Sequence, residues 1–280
     1  MVSTSILKPS GTGFGWCINQ FVGCAHGCKY CYGMAILHKS YVDWLKARPK
    51  KNVIEDLKKD IRKLNGSIAD IKDIFLGSVT DSYQPIEREL GLTRQVIQLL
   101  KEHSLPFTIL TKSDLVLRDV DLFKNYKWCR VGVTITSLDD NVRSELEPFS
   151  SNVASRIKVL ETLKDNNVST YVSCEPIFPI GEANPIEIVK KLRAFTDLFE
   201  FGMWNPQTEV PARYREHHSE VYYAKMFREI IEFCETEKIN YGIATHSRSF
   251  VERHGLPFKT YPSLKSPEPE RYLAQNLNDF

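Results

Sequence analysis

No stretch of this 280-residue chain is apolar over the ~20 residues needed to cross a bilayer, and its N-terminus lacks the charged-then-apolar pattern of a secretion signal. A soluble, cytoplasmic protein with no membrane partner is expected. Charge of one sign is also missing. Against 37 Lys and Arg stand 35 Asp and Glu, leaving +2, so no global field argues for nucleic acid. Local basic runs occur at Lys46, Arg48, Lys50 and Lys51, and again at Lys58, Lys59, Arg62 and Lys63. The second run alternates with Ile54, Leu57, Ile61 and Leu64 at helical spacing, which reads as the wet face of an amphipathic helix. Domain linkers, repeats and low-complexity tracts are absent. With 42% hydrophobic residues the chain is able to bury one substantial core.

A disulfide framework is excluded by an odd count of seven cysteines in a chain too long to need staples. Three of the seven sit in Gly23-Cys24-Ala25-His26-Gly27-Cys28-Lys29-Tyr30-Cys31-Tyr32, spaced Cys24-x3-Cys28-x2-Cys31. Three thiolates in so short a loop suit three corners of a cubane iron–sulfur cluster. No fourth cysteine follows nearby, which leaves one iron open to a ligand that is not protein. Gly23 and Gly27 let the backbone wrap closely. Zinc is the rival, but the second pair of a four-ligand site is missing, although His26 or Cys17 would complete a shell. Cys129 and Cys234 read as small core residues. Cys17 is either core or close to the loop. Cys174 ends an apolar run before Glu175-Pro176, at a strand end that faces the active site in a barrel. It reads either as core or as a reactive thiol.

Apolar, β-rich runs at 14–21, 74–79, 107–110, 130–135, 168–173, 199–203 and 241–244 alternate with helical patterns at 42–64, 92–103, 154–164, 185–195 and 221–237. Such alternation predicts parallel βαβ units with right-handed crossovers, too few for a complete eightfold barrel. The expected organisation is one α/β domain over 1–255, with its cluster loop at 23–33. A proline-rich tail at 256–280 is expected to pack on or near it.

The loop and its flanks, from Asn19 to Tyr32, resemble the radical S-adenosylmethionine superfamily, and within it the spore photoproduct lyase-like branch. Thr80-Asp81-Ser82-Tyr83-Gln84-Pro85-Ile86-Glu87, Thr93-Arg94, Thr111-Lys112-Ser113-Asp114, Arg118-Asp119, Thr134-Ile135-Thr136-Ser137-Leu138-Asp139, Glu147-Pro148 and Arg156 continue the likeness in order, over roughly residues 11–180. The resemblance implies a partial (β/α)6-type barrel with an open lateral mouth, a 4Fe-4S cluster held by Cys24, Cys28 and Cys31, and S-adenosylmethionine as cofactor. It implies reductive cleavage of that cofactor to a 5′-deoxyadenosyl radical that abstracts hydrogen from a substrate. An electron donor such as a reductase, flavodoxin or ferredoxin is then needed.

Strand ends supply the candidate cofactor ligands: Gly77 and Ser78 by exposed carbonyls, Lys112 as a point charge for a carboxylate, Thr136 and Ser137 by hydroxyls, and Tyr30 by stacking. Each has a plainer reading as a cap or surface group. Asp81, Tyr83, Gln84 and Glu87 read as a proline-fixed turn or as a cofactor-side loop. Adjacent His217 and His218, in the aromatic and basic stretch 204–218, read as solvated. His246, Ser247 and Arg248 follow the last strand and suit an anionic substrate group. Spore photoproduct lyases use a hydrogen-donating cysteine soon after the second strand, where this chain has Ser78-Val79-Thr80. Cys174 is the candidate donor in its place. A nucleotide, nucleoside or other small-molecule substrate is therefore favoured over duplex DNA. Photoproduct repair and a non-catalytic iron–sulfur or zinc protein are the alternatives.

Overall fold

The computed structural model describes residues 5–10, 15–64, 71–204, 210–216, 218–260 and 264. Its strands are β1 (Leu7–Pro9), β2 (Trp16–Ile18), β3 (Phe21–Val22), β4 (Arg48–Pro49), β5 (Ile74–Leu76), β6 (Phe107–Thr111), β7 (Cys129–Thr134), β8 (Ser169–Ile177), β9 (Leu198–Met203) and β10 (Tyr241–Ile243). Eight of them form one sheet in the order β1-β2-β5-β6-β7-β8-β9-β10, while β3 and β4 pair by themselves. β1 runs antiparallel to β2, and every later neighbour in the large sheet is parallel.

From β2 onward, order in space follows order in the chain, so each crossover steps the same way. Right-handed crossovers then place the connecting helices on one face, and the other face becomes the concave side of a curling sheet. This is the α/β, barrel-like arrangement expected, left open with β1 and β10 as its edges.

Paired residues in parallel register share a face, so the two faces can be read directly. Ile18, Leu76, Ile109 and Val131 lie in one row, Val133, Val172, Phe199 and Tyr241 in the next, and Cys174, Phe201 and Ile243 in a third. These rows pack against the helices: Val159, Leu160 and Leu163 from Val153–Asp165, and Phe227, Ile230 and Cys234 from Glu220–Thr236, belong to the same buried cluster. The opposite parity is mixed, with Phe75, Leu110 and Leu198 among polar and small residues. It carries Cys17, Thr108, Arg130, Gly132, Tyr171, Ser173, Glu200 and Gly242.

One helical expectation is corrected. Residues 42–64 do not form a continuous helix but two, Tyr41–Leu45 and Val53–Leu64, separated by β4. Pro49 cannot continue a helix, and Arg48 and Pro49 pair with β3 instead. Past the last helix (Arg248–Arg253), the Ile243 amide of β10 donates to the Lys259 carbonyl at 2.8 Å, so the start of the 256–280 segment lies along the sheet edge. Residues 261–263 and 265–280, like 205–209 and His217 of the stretch after β9, lie outside the described residues.

Candidate active site

The cysteine loop leaves β3 and ends in the short helix Tyr32–Ile36. Its backbone is held from several distant elements. The Cys24 amide donates to Trp44 O (2.8 Å), the Lys29 amide to Leu146 O (2.8 Å), and the Phe149 amide to His26 O (3.2 Å). Gln84 clamps the loop from the other side, accepting from the Ala25 amide (2.9 Å) and donating to Gly23 O (3.1 Å). Gly23 (φ +79°) and Gly27 (φ +64°) meet the expectation of close wrapping. A Cβ on Gly23 would lie 2.6 Å from Trp44 O, and one on Gly27 would lie 2.8 Å from the Tyr41 hydroxyl.

Beneath the loop, the residues singled out in the sequence form two buried charge networks. In the first, Asp81 takes His26 Nε2 (3.2 Å), the Thr111 hydroxyl (2.7 Å) and the amides of Tyr83 and Lys112 (2.8 Å each). Burial opposes its charge, but His26 and these donors hold the carboxyl well below the usual range. Glu147, fully buried, accepts from the Tyr30 hydroxyl, from Thr136 (3.4 Å) and from the Arg156 guanidinium, which also donates to Thr134 O (2.7 Å). Despite burial, Arg156 and Lys112 keep Glu147 ionised below its ordinary value.

The second network joins Tyr83, Arg94 and Arg118 to Asp119, and Arg118 to Glu87 (2.7 Å). Glu87 in turn accepts from the Thr93 amide (3.0 Å). The 80–87 segment is thus a brace for the cysteine loop, through the partners of Asp81, Tyr83, Gln84 and Glu87.

Three observations bear on whether the loop suits an iron–sulfur cluster. The thiols of Cys24, Cys28 and Cys31 are all free and lie within electrostatic reach of one another. Backbone N–H groups of Gly33 and Met34 and the Trp44 side chain point at the Cys31 sulfur, and those of Asp81 and His26 at Cys24, the donors that tune a cluster's sulfurs. Lys112 supplies a cation beside Cys28, Glu147 and Asp81, which offset what burial takes from its charge. Burial, with repulsion from Asp81, pushes the Cys24 thiol up to about 12, and burial pushes Cys28 well up, whereas a bound cation reverses that logic by favouring thiolate. Among the described residues no three His, Cys, Asp or Glu side chains converge on one point, as a single metal ion requires. A cubane takes one thiolate per iron, so its ligands need not converge. The donor set fits the cluster.

The strand ends bring some of the expected cofactor ligands to the loop and turn others away. Lys112, after β6, holds its ammonium 5.6 Å from the Tyr30 ring centre. Tyr30 packs edge-on to Phe178 at 5.7 Å, with its hydroxyl spent on Glu147. Gly77 (φ +82°) makes a turn so tight that a Cβ would sit 2.4 Å from Thr80 O. The Ser78 hydroxyl accepts from Asn19 (2.8 Å), and its carbonyl from the Tyr32 hydroxyl. Thr136 is bound to Glu147, whereas Ser137 is committed to Glu182 O and to the Asp139 amide (3.0 Å).

For Cys174, read from the sequence as core or as a reactive thiol, the register favours the core reading: it alternates with Val172 and pairs with Phe201, on the helix side. It is buried there, with Cys234 among its neighbours, and it faces away from the cysteine loop.

Sequence reasoning missed Asn19 and Glu200. Asn19 ties the amides of Val79 (2.9 Å) and Thr80 (3.4 Å) to the loop's approach and points at the Cys17 sulfur (3.9 Å). Glu200 faces the concave side beside Ser173, on β9, where an acid interrupts an otherwise apolar run. Burial, and then repulsion from Glu175, push its carboxyl well above the ordinary range. Asp73, just before β5, is raised to about 6 by burial. A raised acid keeps in the folded state a proton that the unfolded chain has released. Stability is then lost as pH rises from ~4.3 toward the folded value. Urea titrations of wild-type protein and Glu200→Gln at pH 5 and pH 8 should show the variant gaining, relative to wild type, about 1–3 kcal/mol at the higher pH. A gap independent of pH would show that Glu200 is ionised in the fold.

A concave parallel sheet whose strand ends converge on a three-cysteine loop defines an iron–sulfur enzyme that keeps one iron for a cofactor. Residues 18–192 match the Radical SAM superfamily, and the chain belongs to that family. It is a radical S-adenosylmethionine enzyme, using a 4Fe-4S cluster and S-adenosylmethionine. An uncharacterized protein of Methanocaldococcus jannaschii is 36% identical over 190 residues, spanning 67% of this chain and 70% of that protein. One from Acidianus two-tailed virus is 28% identical, and this chain spans 56% of its length. In fold, the chain is similar to spore photoproduct lyase complexed with dinucleoside spore photoproduct (TM-score 0.65, 16% identity, 87% of this chain and 80% of that one). It is also similar to Streptococcus suis SuiB bound to S-adenosylmethionine (TM-score 0.58, 13% identity, 81% and 49%).

Proposed function

We propose that Cys24, Cys28 and Cys31 hold the cluster and that the substrate is a nucleoside, nucleotide or other small molecule rather than duplex DNA. When bound, the cluster and S-adenosylmethionine supply reductive cleavage to a 5′-deoxyadenosyl radical that abstracts hydrogen. The chain's own residues position and shield. Backbone carbonyls at Gly77 and Ser78 would take the cofactor's amino group, the Ser78 carbonyl while also accepting from Tyr32, and Lys112 would take its carboxylate, while Thr136 and Tyr30 are held in place by Glu147. Ser137 has a structural part, accepting from the amide of Asp139, the residue that caps the helix starting at Asp140. A reducing, low-oxygen cytoplasm suits exposed iron–sulfur chemistry.

The observation that carries the substrate class is the acidity of the concave face. Glu200 and the half-buried Glu175 stand on it close enough to repel each other. The Glu175 carboxylate there opposes a phosphodiester backbone, whereas a protonated Glu200 is able to donate to a neutral hydroxyl or base edge. The absence of a cysteine at Ser78-Val79-Thr80 points the same way.

Anaerobic protein with dithionite and S-adenosylmethionine should release 5′-deoxyadenosine. That release should rise about tenfold or more with the right nucleoside or small molecule. If ultraviolet-irradiated duplex DNA gave the same rise and was repaired, while nucleosides gave none, the substrate reading would fail.

A further inference from the structure

We propose that the surface made by residues 29–51 and Phe149 is the docking site for an acidic, low-potential electron-carrier protein. This rests on the reading of the chain as an enzyme whose cluster must receive one electron. In that transfer the carrier's flavin or iron–sulfur centre is oxidised by one electron and the enzyme's cluster reduced by one. No bond forms or breaks between the two proteins.

Charge is the first observation. Residues 23–51 hold Lys29, Lys39, Lys46, Arg48, Lys50 and Lys51 against the single acid Asp43, a net of +5. The whole chain is only +2, so the remaining residues carry −3. Positive charge is thus concentrated in the segment that contains the cluster loop and continues into Lys58, Lys59, Arg62 and Lys63 of the next helix, in a molecule whose remainder is slightly acidic. Charge so placed favours the approach of an anionic partner from this side.

Exposed apolar surface at the same place is the second. Among the described residues the exposed large hydrophobics are Ile36 (55% exposed), Leu37 (45%), Val42 (64%), Phe149 (55%) and Tyr32 on this side, with Leu90 and Val221 elsewhere. Those on this side are not scattered. Ile36 and Leu37 close the helix that begins beside Cys31, and Val42 lies in the next one, Tyr41–Leu45. Phe149 reaches the loop itself, where a Cβ on Gly27 would touch its ring at 2.9 Å and the Tyr41 hydroxyl at 2.8 Å. Lys29 lies over the same Tyr41 ring, 4.0 Å from its centre. An apolar centre with a cationic rim is the anatomy of a protein–protein contact.

Position is the third. An electron has the shortest route to the cluster through the surface that encloses the three cysteines, and this patch begins within six residues of Cys31. A nucleic acid would use the lysines but leave Ile36, Leu37, Val42 and Phe149 without a partner, so the acidic protein is the better fit.

The test uses the reconstituted holoenzyme, S-adenosylmethionine and two reductants: dithionite, and reduced bacterial flavodoxin with its reductase. Lys39→Glu with Lys46→Glu, and separately Leu37→Ser, should slow flavodoxin-driven 5′-deoxyadenosine release about tenfold at low ionic strength. The dithionite-driven rate should stay unchanged, and wild type driven by flavodoxin should slow with added salt toward the double variant. Equal rates for variants and wild type with flavodoxin would overturn the proposal. So would an equal loss with both reductants, or loss of duplex DNA binding while flavodoxin-driven turnover stays intact. Wild type that never cleaves the cofactor with dithionite would instead overturn the enzyme reading beneath it.

Discussion

Cys28→Ala, reconstituted anaerobically with iron and sulfide, is expected to release no 5′-deoxyadenosine above background, a loss of at least ~10³-fold. Cys28 is the thiol facing Lys112 and Glu147, so removing it takes away one corner of the donor set and leaves a buried ammonium without its nearest sulfur. Iron content and the visible absorbance of the cluster should fall with activity, because two remaining thiolates hold a cubane poorly. Folding should survive, since the loop is fixed by backbone bonds from Cys24, Lys29 and Phe149 that do not involve the Cys28 side chain. A Cys28→Ala protein that kept both cluster and cofactor cleavage would move the metal site away from this loop.

Arg156→Met is expected to destabilise the protein by about 3–5 kcal/mol, the cost of leaving a buried carboxylate without its cation. Arg156 and Glu147 are both essentially without solvent contact, and the guanidinium also serves Thr134 O and Ser151 O (2.9 Å). Glu147 would respond by taking up a proton, and its grip on Tyr30 would change with it. Chemical denaturation should show the loss most clearly at neutral pH. It should narrow as pH falls through the depressed range of Glu147, because wild type loses the same ionic contribution there. If the variant matched wild type in stability, the pair would be a spectator and not a support for the site.

Local chemistry was what the chain displayed openly. Three cysteines at fixed short spacing, glycines beside them and alternating apolar runs depend on neighbours in sequence, and the loop, the parallel strands and most helices followed from them. What was hidden depended on parity and on distant partners. Which face Cys174 occupies is set by the parity it shares with Val172 and by its pairing with Phe201 of β9. The Pro49 break looked like a tolerable irregularity in an amphipathic pattern until β3 appeared as its partner. Asp81, Gln84, Glu147 and Arg156 were visible as motif residues. Their work as braces needed coordinates, because it is done across gaps such as the 117 positions between Tyr30 and Glu147. Glu200 carried a signal that went unread, a lone acid among Leu198, Phe199, Phe201 and Met203.

Those long gaps have a consequence for biosynthesis. The cysteines leave the ribosome early, yet the groups that seat their loop are encoded much later; Phe149 follows His26 by 123 positions. Until those later groups are made, the three thiols belong to a segment without its braces, open to oxidation and to whichever soft metal arrives first. Maturation of the centre must therefore wait for the strand that carries Thr134 and the helix that carries Arg156. The timing of cluster delivery is thus written into the order in which the sheet is assembled.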